Sequence, residues 1–437
     1  MDEEEKLAIH GGYPIKTTPN FPMYPGALEI GELEKKYVLE VLESKNLFRY
    51  YGPGVDLEKF ASKAEELEKK IAERMGTKYA VAVNSCTSAL ISALVACGVG
   101  PGCEVIVPSY TFFASCSAVL IAKAIPVIAE VDASLTMDPD DMESKITERT
   151  KAILPVHMRG APCQMDKIMR IAKRYDLRVI EDVAQAMGGS YKGKPLGSFG
   201  DCGCFSLQYH KIITSGEGGI AVTNDDIIYD RLRAYHDSAA CWRPIRFASP
   251  RYRGEIFPGE NYRMNELTAA VALAQLTKLD DILKRMRERK KRIVEGIKDI
   301  PGIELRRSND EEGDTGICVI FYLPNATVAK EFAAALKAEG VSAGCIYDKG
   351  IPDWHIYAHW PHLMHKLTAT KEGCPFTCPY YKGPEPEYSK NMCPKTLEYL
   401  GRSVHINVPP QMPLEDCDLI VKAIRKVAKA MLTNKGR

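Results

Sequence analysis

The feature that most constrains the fold is an alternation of short apolar runs with helical segments, which begins at Lys78. The runs have the length of buried strands, and the segments between them have helical periodicity. We expect strands at 79–83, 104–107, 126–131, 152–156, 178–181, 204–207 and 219–222, with helices at 111–124 and 164–175. Repeated β-α-β units build a mostly parallel sheet with helices on both faces, so the sequence predicts an α/β fold.

Helical patterns flank this region and suggest a second domain. Amphipathic patterns predict further helices at 29–42, 56–74 and 414–431. A long helical pattern that starts at Asn261 and runs toward Lys298 would link the two parts. A chain of 437 residues is long enough for two cores. We expect a large domain with an N-terminal arm over residues 1–280 and a smaller α+β domain over 281–437.

Overall charge argues against nucleic acid and membrane partners. The 58 basic and 57 acidic residues leave a net charge of +1, so no global field attracts a polyanion. The N-terminus is acidic and lacks the apolar core of a secretory signal. The apolar stretch 105–129 is interrupted by Pro108, Lys123 and Pro126, which a membrane span would not tolerate well. The 14 scattered cysteines are typical of reduced thiols, so we expect a cytoplasmic protein.

An acid and a lysine follow two of the expected strands. Asp182 ends one apolar run, and Lys211 lies between another run and the glycine-rich turn 216–219. In an open parallel sheet, ligands bind beyond the carboxyl ends of the strands, where both residues would lie. Pyridoxal phosphate (PLP) needs an acid for its pyridine nitrogen and a lysine for its carbonyl carbon. Either residue alone is more often a solvated surface group.

Other residues at the same edge could complete a PLP site. Ser85-Cys86-Thr87 follows a strand and opens a helix, which suits a phosphate, although an ordinary helix cap by Ser85 or Thr87 explains the pattern equally well. Ser206 could add a second hydroxyl. Phe112 or Phe113 could stack on the ring, although either alone is more often a core residue. Gln185, three residues after Asp182, could contact the ring hydroxyl.

Two rival motifs are weaker. The segment from Gly188 to Pro195 approaches a phosphate-binding loop, but proline stands where a serine or threonine must bind magnesium. The histidines and cysteines between His355 and Cys393 are permitted zinc ligands, but their spacing matches no pair of short chelating loops. We therefore expect no metal ion.

Five segments resemble the DegT/StrS-type sugar aminotransferases in content and order. They are PSYTF at 108–112, PVH at 155–157, EDVAQAMG at 181–188, FSLQYHKIITSGEGG at 205–219 and NYRM at 261–264. The resemblance implies a fold type I PLP enzyme in which Lys211 is the Schiff-base lysine and Asp182 pairs with the pyridine nitrogen. It further implies that Phe112 stacks on the ring and that Gln185 contacts the ring hydroxyl.

The resemblance also implies a phosphate site and a homodimer with shared active sites. Cys86, Thr87 and Ser206 would hold the phosphate, and Asn261 would come from a second subunit. The dehydratases of this family carry histidine in place of the lysine, so Lys211 favours transamination. The His- and Cys-rich segment 354–394 departs from the family pattern and is expected to affect acceptor specificity.

These observations predict an aminotransferase with a ping-pong mechanism. By resemblance, glutamate or glutamine donates the amino group, and a keto-sugar, nucleotide-linked or not, or a cyclitol accepts it. Tyr51, His157 and the segment 350–395 are candidate acceptor contacts. A PLP-dependent deoxysugar dehydratase and a non-catalytic regulator with the same fold are the alternatives.

Overall fold

The computed structural model describes residues 6–50, 61–240, 249–347 and 350–432. Its strands are β1 (Tyr79–Val83), β2 (Glu104–Pro108), β3 (Ile125–Ala129), β4 (Thr150–Ile153), β5 (Arg178–Asp182), β6 (Ser190–Tyr191), β7 (Lys194–Pro195), β8 (Cys202–Ser206), β9 (Gly219–Thr223), β10 (Glu304–Leu305), β11 (Cys318–Tyr322), β12 (Ala343–Gly344) and β13 (Ser403–Asn407). Its α-helices are α1 (Glu32–Ser44), α2 (Lys63–Met75), α3 (Cys86–Ala96), α4 (Ala114–Ile121), α5 (Pro139–Ser144), α6 (Met165–Arg174), α7 (Asp226–His236), α8 (Glu266–Leu276), α9 (Leu279–Ile297), α10 (Ala326–Ala338), α11 (Pro361–Met364), α12 (Pro394–Gly401) and α13 (Leu414–Met431).

The central sheet has seven strands in the order β1-β9-β8-β5-β4-β2-β3. The pairs from β8 through β5, β4 and β2 to β3 are parallel, and β9 alone runs antiparallel to its two neighbours. Every residue of β2 and β8 is buried, as expected for strands covered by helices on both faces. The predicted mostly parallel α/β sheet is confirmed.

A second, four-stranded antiparallel sheet has the order β10-β11-β13-β12. Its apolar face packs with α10, α13 and the end of α9 in a core that is separate from the core around the large sheet. Helix α9 joins the two cores, because Met286 is buried in the first and Ile293 in the second. The division of the chain at residue 280 stays a prediction.

The structure corrects the long helix predicted from Asn261. Asn261 pairs instead with Asp237 in an isolated bridge, so the chain is extended there. The side chain of Asn265 accepts a hydrogen bond from the Thr268 N–H and caps α8, which begins at Glu266. Two residues then separate α8 from α9, and the Thr277 hydroxyl donates to the Ala274 carbonyl at that break. Two helices therefore replace one.

The segment 350–394 lies between strands β12 and β13 of the small sheet in sequence but packs on the large core. Trp360 is fully buried there, with its indole N–H donating to the Trp354 carbonyl at 2.7 Å. The Tyr381 hydroxyl donates to Glu104 at the start of β2. Among the described residues, no group of three or more His, Cys, Asp or Glu side chains is placed to hold a metal ion. No helix in the described part of the chain is long and apolar enough to cross a membrane.

Candidate active site

A cavity of about 480 Å³ opens at the carboxyl ends of the parallel strands. Its volume lies within the range of about 300–1,000 Å³ that is usual for small-molecule sites. The predicted cofactor residues that line it are Cys86, Thr87, Phe112, Asp182, Gln185, Ser206 and Lys211. Residues far apart in sequence therefore meet in one cavity at the carboxyl ends of the strands, where open parallel sheets bind ligands.

The loop between β8 and β9 presents Lys211 to this cavity. The Thr214 hydroxyl donates to the Leu207 carbonyl at 2.9 Å, and the Thr214 side chain accepts the Gly216 N–H at 2.9 Å. Gly216 has φ 83°, which a residue with a side chain rarely adopts. These bonds close the loop around the lysine. Burial lowers the pKa of Lys211, against the nearby Cys86 and Asp182, so more of its amine is uncharged near neutral pH.

Two hydrogen bonds hold the carboxylate of Asp182 at the end of β5. Ser115 Oγ donates to one oxygen at 2.8 Å, and the Ala184 N–H donates to the other at 3.0 Å. Thr111 Oγ1 lies 2.8 Å from Ser115 Oγ and continues the chain of hydroxyls. Burial raises the pKa of Asp182, against the effect of these hydrogen bonds and of Lys211. The carboxyl group is therefore rigidly oriented and ready for a cationic partner.

The predicted phosphate site lies at the N-terminus of α3. Ser85 is the cap residue, because its Oγ accepts the Ser88 N–H at 3.1 Å. In the described structure this leaves the N–H groups of Cys86 and Thr87 for an anion, supported by the helix dipole. A Cβ at Gly219 would lie 2.3 Å from the Ser85 carbonyl, so only glycine lets β9 pass so close to this turn. The helix cap by Ser85 is confirmed, and it is compatible with the phosphate site, which stays a prediction.

The two phenylalanines before α4 have different environments. Phe112 lines the cavity and is 48% exposed, and its ring contacts the ring of His355 at 5.2 Å. Phe113 instead packs against Trp360 and His362 of the segment 350–394. Phe112 therefore has the free face that ring stacking requires, and Phe113 is a packing residue.

His157 does not line the cavity, which corrects the expectation that it contacts an acceptor. Its side chain is fully buried. Nδ1 accepts the Cys163 N–H at 3.1 Å, so the proton is on Nε2, which donates to Glu181 at 3.1 Å. Glu181 in turn accepts the N–H groups of Gly197 and Phe199. His157 thus belongs to a buried network behind the site.

Two further candidates, Asn261 and Tyr51, are not among the residues that line the cavity, for different reasons. Asn261 is exposed and does not line it, so the predicted cofactor contact by Asn261 requires another subunit. Tyr51 lies outside the residues that the structure describes.

Sequence reasoning missed several cavity residues. Ser115 lies in an apolar helix and gave no signal beyond its polarity. Arg159 and Asn407 meet at 2.7 Å across the two sheets, and nothing in the sequence links them. Arg159 has φ 53° and ψ 40°, a left-handed conformation that costs roughly 1–2 kcal/mol for a residue with a side chain. His355, in contrast, belongs to the segment 350–395 that was predicted to contact the acceptor, and it does line the cavity.

The residues present fit PLP. Cys86, Thr87 and Ser206 would hold its phosphate, Phe112 would stack on the ring, and Asp182 would face the pyridine nitrogen. Lys211, on the same cavity, would hold its carbonyl carbon. A lysine, a buried acid and a helix N-terminus at the carboxyl edge of this sheet are the features of a PLP-dependent enzyme of fold type I.

Comparison with known proteins narrows the class to one family. Residues 29–378 match the DegT/DnrJ/EryC1/StrS aminotransferase family. The chain belongs to this family of sugar aminotransferases, which confirms the resemblance found in the sequence.

Relatives and solved structures are consistent with this assignment. The spore coat polysaccharide biosynthesis protein SpsC of Bacillus subtilis (strain 168) is 33% identical over 92% of this chain and 95% of its own length. GDP-perosamine synthase of Caulobacter vibrioides is 45% identical, but over 50% of this chain and 57% of its own length. The crystal structure of 3-amino-5-hydroxybenzoic acid synthase has a TM-score of 0.75 at 26% identity, covering 95% of this chain and 100% of that one. A structure of DesI with its TDP-sugar product has a TM-score of 0.72 at 26% identity, covering 97% and 96%.

Proposed function

We propose that this enzyme transfers an amino group from glutamate or glutamine to a keto-sugar, most simply a nucleotide-linked one, or to a cyclitol, by a ping-pong mechanism. The observation that carries the proposal is the presence of Lys211 and Asp182 on one cavity. Two relatives support the choice of substrates by their names. One is GDP-perosamine synthase, and the other is an L-glutamine:2-deoxy-scyllo-inosose aminotransferase of Streptoalloteichus tenebrarius, 35% identical over 63% of this chain and 64% of its own length.

Bound PLP would supply an electron sink for the bonds at the substrate's reacting carbon. Lys211 Nζ removes the proton from the donor's Cα as a general base, and the lowered pKa of its amine favours this at neutral pH. Asp182 would keep the pyridine nitrogen protonated when PLP is bound, and the Ser115 hydroxyl donates to its carboxylate and fixes the orientation of that group. The buried Asp182 also excludes water from that side of the site.

The cofactor part of the proposal has a direct test. Purified protein incubated with PLP should absorb visible light, and borohydride should fix the cofactor on Lys211, which peptide mass spectrometry locates. Lys211→Ala should lose both properties. Full turnover by Lys211→Ala would refute the assigned role.

Substrate choice needs a separate screen. Keto-sugars, with and without a nucleotide, and cyclitols are offered with glutamate or glutamine, and products are detected by mass. An aminated product with loss of the donor's amino group supports transamination. Release of ammonia and water from an amino- or deoxysugar without an aminated product would support the dehydratase alternative.

We further propose a homodimer in which Asn261 of one subunit completes the site of the other. Exposed apolar side chains before and on α1 provide a surface for such contact: Leu28, Ile30, Leu39 and Leu42. Mixing Lys211→Ala and Asn261→Ala chains tests the shared site, because one of the two sites in a mixed dimer would regain both residues. Activity in the refolded mixture above that of either variant is expected. A monomer by light scattering contradicts the proposal.

A further inference from the structure

Arg159 places a cation on the wall of the active-site cavity. Its Nη2 donates to Asn407 Oδ1 at 2.7 Å, and Asn407 lines the cavity as well. Its Nε is buried and has no hydrogen-bond partner. Within the described ranges, no carboxylate forms an ion pair with this guanidinium, although most other buried or half-buried arginines of the chain have one. Buried polar groups are normally satisfied, so this side chain is suited to a ligand.

The surroundings of Arg159 add a second guanidinium, but they also contain an acceptor: Ser403 Oγ donates to the Leu400 carbonyl and therefore accepts from His405 Nε2, which leaves His405 Nδ1 as an acceptor. Tyr110 Oη, Arg306 Nη1 and His405 Nδ1 are also buried without a partner in the described structure. Burial lowers the pKa of His405 well below its usual range, and the positive charges of the nearby Arg159 and Arg306 lower it further. Arg306 is paired with Asp314 at 3.0 Å, which leaves Arg159 as the cation that faces the cavity. A ligand with anionic acceptor oxygens complements this wall.

The backbone holds Arg159 in place. Its N–H donates to Gln185 Oε1 at 3.1 Å, and its carbonyl accepts a bond from Cys318 Sγ at 3.5 Å. Gly160 follows with φ 76°, where a Cβ would lie 2.1 Å from Thr315 Oγ1. Residues kept in a left-handed conformation by their surroundings are concentrated at functional sites. Arg159 is thus fixed one hydrogen bond from Gln185, which is proposed to contact the cofactor ring.

We propose that Arg159, oriented by Asn407, binds a carboxylate of the amino donor. This inference rests on the proposed transamination and specifies how the donor is recognised. The fork of an arginine matches both oxygens of a carboxylate. A donor's α-carboxylate is one bond from the Cα that must reach Lys211, so both groups fall in one cavity. The charge of a glycosyl diphosphate is separated from a ring ketone by the sugar itself, so it would lie farther from Lys211.

Two variants and a control test the subsite. Arg159→Met removes the charge and keeps much of the volume. Asn407→Asp keeps the shape and gives Arg159 an internal carboxylate that competes with the ligand. Arg170→Met, on the exposed surface of α6, is the matched control. Losing charged hydrogen bonds should raise the Kd for L-glutamate and for its unreactive analogue glutarate about 10- to 100-fold in the first two variants, and leave it unchanged in the control.

The measurements distinguish donor binding from acceptor binding, and they test the Arg159 subsite independently of the proposed function. Glutarate binding to the PLP-loaded protein, by calorimetry, needs no turnover and therefore tests the subsite even if amination is never found. Absorbance changes on addition of L-glutamate report the donor half-reaction. Absorbance changes on addition of a keto-sugar found by the screen report the acceptor half-reaction. Weakened glutarate and glutamate binding with an unchanged acceptor Kd supports the proposal. Unchanged glutarate binding in both variants, or a loss confined to the acceptor, overturns it.

Discussion

Replacing Asp182 by asparagine separates the charge of this residue from its shape. The Asn oxygen can still accept the Ala184 N–H that now lies at 3.0 Å, and its amide can donate to Ser115 Oγ, which then donates to Thr111 Oγ1 at 2.8 Å. Every hydrogen bond is thus retained, and we expect the free energy of unfolding to change by less than about 1 kcal/mol. The charge partner of the pyridine nitrogen, in contrast, is lost.

The loss of one partner of a buried charge pair costs about 3–5 kcal/mol, which corresponds to a factor of about 10² to 10⁴ in rate. We expect kcat/KM for the glutamate half-reaction, measured by stopped-flow absorbance, to fall by that factor while the Tm changes little. Asp280→Asn is the control, because Asp280 is exposed and pairs with Arg74 at the surface. An Asp182→Asn enzyme with kcat/KM within threefold of the wild type would refute the assigned pairing.

Three further predictions follow from the same geometry. Phe112→Leu should raise the Kd for PLP about 2- to 10-fold with little change in Tm, whereas Phe113→Leu should lower the Tm and spare the Kd; the reverse pattern would show that the stacking residue is misassigned. In the cofactor-free protein the pKa of Lys211 is depressed below its usual 10.5. The unfolded chain therefore binds this proton first, and Lys211 destabilises the folded protein increasingly as pH falls from 10.5 to the folded-state pKa. Lys211→Met should raise the Tm at pH 7, with a difference that shrinks toward pH 10.5, and a constant difference across that range contradicts the sign. Glu181→Gln leaves buried N–H groups without an acceptor and should cost about 2–3 kcal/mol of stability, seen in urea unfolding, and an unchanged midpoint would argue against the buried network.

The seven strands of the large sheet could be predicted from the sequence because they are short apolar runs, whereas the strands of the small sheet were not predicted. Asp182 could be found because it ends such a run, and Lys211 because it lies between such a run and the glycine-rich turn 216–219. Arg159 could not be found, because its importance depends on Asn407, which a different sheet brings to it. The prediction that His157 contacts the acceptor was wrong. Successive side chains of an extended chain point to opposite sides, and the His157 side chain points toward the core.

The choice between neighbouring residues also needed tertiary structure. Phe112 and Phe113 have the same local pattern; the family resemblance selected Phe112, and the packing of Phe113 on Trp360 gives the physical reason for that choice. Two residues separate α8 from α9, and the hydrogen bond from the Thr277 hydroxyl to the Ala274 carbonyl at this break is not visible in the helical periodicity. Local signals thus located the edge of the sheet and its chemistry, and long-range packing determined which side chains reach it.

The segment 350–394 has a consequence for the order of biosynthesis. The N–H groups of Thr111 and Phe113 donate to the carbonyls of His355 and Trp354, which a ribosome adds much later. A nascent chain that has completed every strand of the large sheet still lacks this support for the start of α4. Because domains fold largely as they emerge during synthesis, we expect tight cofactor loading to begin only after this segment has left the ribosome, so that translation itself delays the enzyme's activation.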